Sequence, residues 1–183
     1  MSKDDVLYNY YSLLSKELEN KIPIILYNIP QFSGISLSTN LVHKLSSIPN
    51  IIGIKDSTGN IIQINEYKQQ TNKEFLVLSG SGSVYLYSLM VNADGCVSAL
   101  GNLFPKECCD IYDFFKNHDF ENAIKLQNKL IPINQLITSK YGIPGLKYAL
   151  KTMGDVKFPL KELNDIEKLE IDNVLNNTIK NLN

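Results

Sequence analysis

A lysine and a tyrosine end two consecutive apolar stretches, and together they could carry out carbonyl chemistry. Lys55 follows the apolar run 51–54, and Tyr27 ends the apolar run 23–27. A lysine amine that is shielded from water loses its charge readily and becomes a nucleophile that forms Schiff bases with carbonyl substrates. A phenol beside such an amine could relay protons to and from the reacting carbon. The pair therefore indicates a candidate covalent site.

Simpler interpretations of both residues stay open on spacing alone. Lys55 could extend its amine into solvent or pair with the neighbouring Asp56, and Tyr27 could lie at a packed sheet edge with its hydroxyl in water. Side chains alternate along a strand, so Lys55 shares a face with Gly53 and is opposite to Ile54. If Ile54 packs on helices, we expect Lys55 to point into the interior, where Gly53 would leave room for the lysine stem or a ligand.

Two turns after the strands are compatible with a ligand. Ser57 comes just after Lys55 and offers a hydroxyl group. Gly80 begins a Gly-Ser-Gly turn that would let the backbone approach a ligand closely. No Gly-Lys-Ser/Thr pattern follows this turn, so it is not a P-loop, and the needs of the turn explain the glycines equally well.

The elements that must position these residues alternate between short apolar runs and amphipathic segments. Strands are predicted at 23–27, 51–55, 75–79 and 95–99. The separation is 28 residues from Tyr27 to Lys55, 24 from Lys55 to Ser79 and 19 from Ser79 to Ser98. Repeats of this size predict parallel strands with right-handed helical crossovers. Half of a (β/α)8 barrel and a small open doubly wound sheet both fit, and both would place function at the carboxyl ends of the strands.

Helices are predicted between the strands and throughout the chain after Leu103. Asp4 or Asp5 could cap the first helix, and Ser38 could begin the second. A single domain is expected, since no low-complexity linker interrupts the sequence. The first helix is predicted to end at about residue 20. Further helices are predicted at 83–91, 105–117, 120–139, 145–153 and 164–179.

Composition excludes several classes of protein. The 183 residues are 44% hydrophobic and 20% charged, and the net charge is −1, which is too balanced for a nucleic-acid or membrane binder that relies on charge. The longest apolar run has six residues, far short of a membrane span. Three cysteines and two isolated histidines favour neither a disulfide framework nor a zinc site, so we expect a reducing, cytoplasmic compartment.

Several short motifs connect these residues to a known family. They are Tyr27-Asn28-Ile29-Pro30 followed by Ser33-Gly34; Gly53-Ile54-Lys55-Asp56-Ser57; Leu78-Ser79-Gly80-Ser81; and Gly95-Cys96-Val97-Ser98 followed by Asn102. In this order and spacing they resemble the dihydrodipicolinate synthase / N-acetylneuraminate lyase family of class I aldolases. The resemblance implies an α/β fold, a partial TIM (β/α)8 barrel with strands five to eight over 1–104. It also implies that 105–183 holds the last barrel helix and a C-terminal helical extension.

The resemblance also implies roles for the candidate residues. Lys55 resembles the Schiff-base lysine and Tyr27 the proton-relaying tyrosine, while Ser57 and Gly80 match positions near the bound 2-oxo acid. The implied mechanism needs no metal and no organic cofactor. The implied partner is a small 2-oxo acid, and family members are usually tetramers, so a homo-oligomer is expected.

Within the family, the segment 141–147 looks most like the branch that cleaves 4-hydroxy-2-oxoglutarate to pyruvate and glyoxylate. Phe32 stands where dihydrodipicolinate synthases usually have an arginine for a substrate carboxylate, and an aromatic ring cannot make that charge-assisted fork. The synthase and the N-acetylneuraminate lyase branches stay open as alternatives.

The resemblance begins near the family's fourth barrel helix, so strands one to four have no counterpart in this sequence. The turn that holds the substrate carboxylate lies in that part of the family fold. The chain could be a fragment, could pair with another half barrel, or could be a catalytically inactive half barrel. A mitochondrial location would require a longer form with a transit peptide.

Overall fold

The computed structural model describes residues 2–19, 21–151, 154 and 156–182 and divides into two compact units, residues 1–97 and 98–183. The expected single domain, with its internal division at 104, stays a prediction. The predicted helix ends at Asn20 and Met153 lie outside the described residues.

The first unit contains a four-stranded parallel sheet. Its strands pair in chain order, β1 with β2, β2 with β3 and β3 with β4, which confirms the predicted parallel α/β arrangement. Two strands extend one residue beyond their predicted ends, and the fourth is shorter than expected. The strands are β1 (Ile24–Asn28), β2 (Ile51–Asp56), β3 (Leu76–Ser79) and β4 (Gly95–Cys96).

Helices connect the strands of the first unit, and polar side chains fix where several of them begin. Ser38 caps its helix as predicted, by accepting a hydrogen bond from the Leu41 amide. The predicted cap at Asp4 or Asp5 is wrong, because the Ser2 side chain accepts from the Asp5 amide and Asp5 reciprocates in a capping box. The helices are α1 (Lys3–Glu17), α2 (Pro30–Ser33), α3 (Thr39–Leu45), α4 (Ile61–Gln70), a 3₁₀ turn (Gly82–Val84) and α5 (Tyr85–Met90).

The two faces of the sheet differ sharply in burial. One face packs on helices and belongs to a core cluster that includes Leu26, Ile54 and Val77. On the opposite face, Ile25 is 45% exposed and Leu76 is 37% exposed. Strand alternation therefore separates a helix-covered face from a face that leaves apolar side chains in water.

The second unit is helical, as predicted. In it α7 and α10 both pack against α8. Pro132 lies inside α8, where it removes a backbone donor, and the helix continues into a π-helical turn soon afterwards. The helix predicted from 145 begins three residues earlier. The elements are α6 (Leu100–Leu103), α7 (Pro105–Lys116), α8 (Phe120–Gln135), the π turn (Leu136–Lys140), α9 (Gly142–Leu150) and α10 (Asp165–Leu182). Among the described residues, no helix combines the length and the apolar character needed to cross a bilayer.

Candidate active site

Lys55 and Tyr27 lie next to each other on neighbouring strands. They are register partners in the β1–β2 ladder, and both side chains project from the face opposite to the helices. The Nζ atom of Lys55 lies 4.2 Å from the centroid of the Tyr27 ring, within the range of a cation–π contact. The structure thus brings together the two side chains that alternation placed on one face, while their catalytic roles stay predictions.

The predicted shielding of the lysine amine is incomplete in this chain. Ile54 is fully buried on the helix side, as the alternation requires, so Lys55 is on the expected face. That face is open, however: Tyr27 is 45% exposed and Lys55 is partly exposed. The amine therefore has an aromatic ring on one side and access to small molecules from solvent.

Gly53 lies where two strands come close together. It pairs with Leu76 of β3, and a Cβ atom on it would lie 2.7 Å from the Leu76 carbonyl oxygen. The glycine therefore allows β2 and β3 to approach each other closely. The space expected for the lysine stem or a ligand stays a prediction.

Ser57 and Gly80 meet at the carboxyl edge of the sheet. The Ser57 hydroxyl lies 3.4 Å from the Tyr27 hydroxyl, and the Gly80 amide donates to the Asp56 carbonyl oxygen at 2.6 Å. A Cβ atom on Gly80 would overlap the Ser57 Oγ atom, so only glycine leaves this serine in place. All four predicted site residues therefore come to one edge, which presents an amine, two hydroxyls and a closely approaching backbone.

A buried polar pair lies directly behind the candidate site. Asn28 and Asp56 follow Tyr27 and Lys55 in sequence, are themselves register partners, and have no exposed surface. The Asn28 side-chain amide donates to Asp56 Oδ2 at 2.6 Å. Asp56 Oδ1 accepts from the Thr58 amide at 2.9 Å and from the Thr58 hydroxyl at 2.5 Å. Both oxygens of this buried carboxylate are therefore satisfied.

Tyr67 of α4 extends this pair into the helical layer. Its hydroxyl donates to the Leu37 carbonyl oxygen at 2.8 Å, and the Leu37 amide donates to Asn28 Oδ1 at 3.0 Å. Burial, and then the nearby Asp56 carboxylate, raise the pKa of the Tyr67 hydroxyl, which keeps it protonated as a donor.

Asn28, Asp56 and Tyr67 form one network that the sequence pattern alone does not predict. The predicted strands end at Tyr27 and Lys55, which leaves Asn28 and Asp56 outside both strands. A usable signal was present, because each stands two positions after a core residue, Leu26 or Ile54, and therefore on the face that the helices cover.

The chain is similar to enzymes of one family over nearly all of its length. A profile of the Dihydrodipicolinate synthetase family matches residues 2–178. A 4-hydroxy-tetrahydrodipicolinate synthase from Bartonella bacilliformis is 34% identical over 174 residues, which are 92% of this chain and 58% of that protein.

Solved structures give the same result. The dihydrodipicolinate synthase DapA-2 from Bacillus anthracis superposes with a TM-score of 0.90 at 26% identity, covering 96% of this chain and 61% of that one. The chloride-inhibited dihydrodipicolinate synthase from Acinetobacter baumannii, solved with pyruvate, gives 0.89 at 26% identity, covering 97% of this chain and 62% of that one. The chain thus spans about three fifths of the length of these proteins.

Proposed function

Because the chain belongs to the dihydrodipicolinate synthetase family, we propose that it carries the Schiff-base centre of a class I aldolase that cleaves a 2-oxo acid to pyruvate and an aldehyde. The observation that supports this most directly is the position of the Lys55 amine, 4.2 Å from the Tyr27 ring at the carboxyl ends of two parallel strands. A nucleophile and a proton-transfer group must lie within reach of one substrate atom for this chemistry.

In the proposed mechanism, neutral Lys55 attacks the C2 carbonyl of the 2-oxo acid and Tyr27 assists the proton transfers. Loss of water leaves a protonated imine, which accepts the electron pair released when the C3–C4 bond breaks. The aldehyde leaves, the resulting enamine is protonated at C3, and water then hydrolyses the imine to release pyruvate and the free amine. Ser57 and Gly80 would lie beside the bound oxo acid at the same edge of the sheet.

The substrate we favour is 4-hydroxy-2-oxoglutarate, which would give pyruvate and glyoxylate. The support for this choice is the segment 141–147, which looks most like that branch of the family. All 18 basic residues of the chain are lysines, so a second carboxylate on either candidate substrate would have to be bound here without an arginine fork. Phe32, at the position where the resemblance expects an arginine in the synthases, lies in α2 and is 82% exposed.

A synthase function is the second candidate, because the similar proteins carry that name. The Bartonella relative is named a 4-hydroxy-tetrahydrodipicolinate synthase, and the Acinetobacter enzyme holds pyruvate. A synthase of this kind would use the same imine of pyruvate as its first intermediate. The choice between the two functions depends on the aldehyde partner and leaves the role of Lys55 unchanged.

We further propose that the four strands correspond to strands five to eight of a (β/α)8 barrel. The open face that carries Ile25, Tyr27 and Leu76 would then be the barrel interior, which other strands must cover. An active form would be a complete barrel, expected to be cytoplasmic and to assemble as a homo-oligomer. A half barrel without activity is the competing explanation.

The test is a product assay on the full chain, alone and mixed with the N-terminal part of the Bartonella relative that this chain does not match. We expect pyruvate and glyoxylate from 4-hydroxy-2-oxoglutarate in the mixture, and no product when Lys55→Arg replaces the native chain. Turnover of pyruvate with aspartate semialdehyde instead would support the synthase. Release of pyruvate from N-acetylneuraminate instead would support the third branch. No turnover of any substrate in the mixture would contradict the proposed function.

A further inference from the structure

We propose that Asp56, paired with Asn28, is a positioning residue that holds Lys55 over the Tyr27 ring. The inference deepens the proposed function, on which it rests, because it concerns the alignment of the same amine. Asn28 and Asp56 each follow one of the two candidate residues along its strand, and they face each other across the β1–β2 ladder. A bond between them therefore fixes both strands one residue beyond the site.

The pair is fully engaged from both sides. Asp56 accepts from Asn28 through one oxygen and from Thr58 through the other. The Asn28 side-chain oxygen accepts a hydrogen bond from the Leu37 amide, and the Asn28 backbone carbonyl oxygen accepts one from the Ser57 amide at 2.9 Å. The two residues that follow Lys55 are thus tied to Asn28 of β1 by hydrogen bonds of defined direction.

Burial of this pair is difficult to explain by stability alone. Both side chains have no exposed surface and stand on the face that otherwise carries Leu26, Ile54 and Val77. A carboxylate taken from water loses solvation that its partners only partly restore, and an apolar pair would fill the same space without that cost. Directional hydrogen bonds fix the relative position of the two strand ends. Apolar packing would fix this position less strictly.

The donor and acceptor roles of the two side chains can be exchanged, which allows a sharp test. The exchange removes only the long contact of 3.4 Å from the Asn28 amide to the Tyr67 hydroxyl. In Asp56→Asn alone, the new NH₂ group faces another donor, either the Asn28 amide or the Thr58 donors, so one hydrogen bond is lost. In Asn28→Asp alone, two carboxylates face each other and repel. In the double exchange Asn28→Asp/Asp56→Asn, the amide at position 56 can donate to the carboxylate at position 28. The Leu37 and Thr58 donors then keep their acceptors.

The experiment needs no substrate, so its failure is distinct from failure of the proposed function. Reductive ¹³C-methylation of the full chain makes every lysine visible by NMR, and Lys55→Arg assigns the resonance of Lys55. We expect an upfield ring-current shift from Tyr27 that falls by more than half in Asp56→Asn and returns in the double exchange. Lys116 and Lys140, which lie over the rings of Tyr112 and Tyr141, serve as internal references that should not move.

Ile64→Val provides the matched stability control, because Ile64 is a fully buried residue of α4 on the helical layer. It should lower the melting temperature and leave the Lys55 resonance in place. If Asp56→Asn does not fold, Thr58→Val removes one donor to the carboxylate and should move the resonance less far in the same direction. An unmoved resonance in both Asp56→Asn and Thr58→Val, or a folded double exchange that does not restore it, would overturn the proposal.

Discussion

The Lys55 amine lies against the face of the Tyr27 ring on the adjoining parallel strand, with 4.2 Å between the nitrogen and the ring centroid. The ring face covers one side of the amine, and the phenol oxygen lies 3.4 Å from the Ser57 hydroxyl. One tyrosine therefore offers the lysine an aromatic surface and a hydroxyl at the same edge. A variant that keeps the ring and lacks the hydroxyl separates the two contributions.

Tyr27→Phe removes the hydroxyl and keeps the ring. We expect imine formation with pyruvate to slow by about 10²-fold to 10⁴-fold, which is the usual contribution of a positioned proton-transfer group. The free energy of unfolding should change by less than about 0.5 kcal/mol, because the hydroxyl is exposed. Borohydride quenching over a time course in the reconstituted barrel measures the rate. Tyr87→Phe, at another exposed tyrosine, is the control, and equal rates in the two variants would contradict a role for the Tyr27 hydroxyl.

Gly80→Ala tests the close approach of the turn to Ser57. The new methyl group would overlap Ser57 Oγ and lie 2.9 Å from the Asp56 carbonyl oxygen. We expect a loss of about 1–3 kcal/mol in the free energy of unfolding, as for other overpacked sites. Urea unfolding measures the loss. Gly101→Ala is the matched control, because a Cβ atom there meets nothing within 4 Å, and similar losses in both variants would be evidence against the contact.

Tyr67 predicts a particular dependence of stability on pH. Its pKa is raised in the folded chain by burial and by Asp56, so the folded state binds the phenolic proton more tightly than the unfolded state. This contribution is complete below the ordinary tyrosine pKa near 10 and is lost as the pH rises above it. Tyr67→Phe should be less stable than the native chain at pH 7 by about 1 kcal/mol, through the lost bond to Leu37.

Above pH 10 the two proteins should converge, because one tightly held proton contributes a slope of up to about 1.4 kcal/mol per pH unit. Chemical unfolding at a series of pH values measures the difference. A gap between the two proteins that stays constant through pH 11 would contradict the raised pKa.

The open face of the sheet predicts self-association. Ile25 and Leu76 expose apolar surface beside Tyr27, and apolar surface of this kind favours contact with another molecule. We expect the weight-average sedimentation coefficient to rise with protein concentration, and to rise less in the double variant Ile25→Thr/Leu76→Thr. Ile62→Thr is the control, because Ile62 is 72% exposed on α4. An equal effect of the control would indicate that association does not depend on this face.

The pairing of Lys55 with Tyr27 could be predicted because it follows from two simple rules. Side chains alternate along strands, and consecutive strands with helical crossovers lie parallel and adjacent. These rules do not fix where each strand ends, and the predicted strands stop one residue before Asn28 and Asp56. The burial of these two residues was therefore not predicted. A polar residue after an apolar run has the composition of a turn, so the sequence alone does not distinguish a turn from a buried strand end.

Helix ends show the same limit. The cap of the first helix is Ser2 rather than an aspartate, because the side chains of Ser2 and Asp5 each accept a hydrogen bond from the other residue's backbone amide. Several candidate caps lie within a few residues, and only the three-dimensional contacts select one. The exposure of Lys55 could not be predicted either, since it depends on what covers the sheet rather than on the strand itself.

The most direct test of the account is the covalent capture of pyruvate by Lys55. The full chain, alone and with the N-terminal part of the Bartonella relative, is incubated with pyruvate, reduced with borohydride, digested and mapped by mass spectrometry. We predict that a reduced pyruvate adduct forms in the mixture on the peptide that contains Lys55 and is absent in Lys55→Arg, whereas Lys68→Arg leaves it unchanged. A mixture without an adduct, or an adduct of equal yield after Lys55→Arg, would contradict the account.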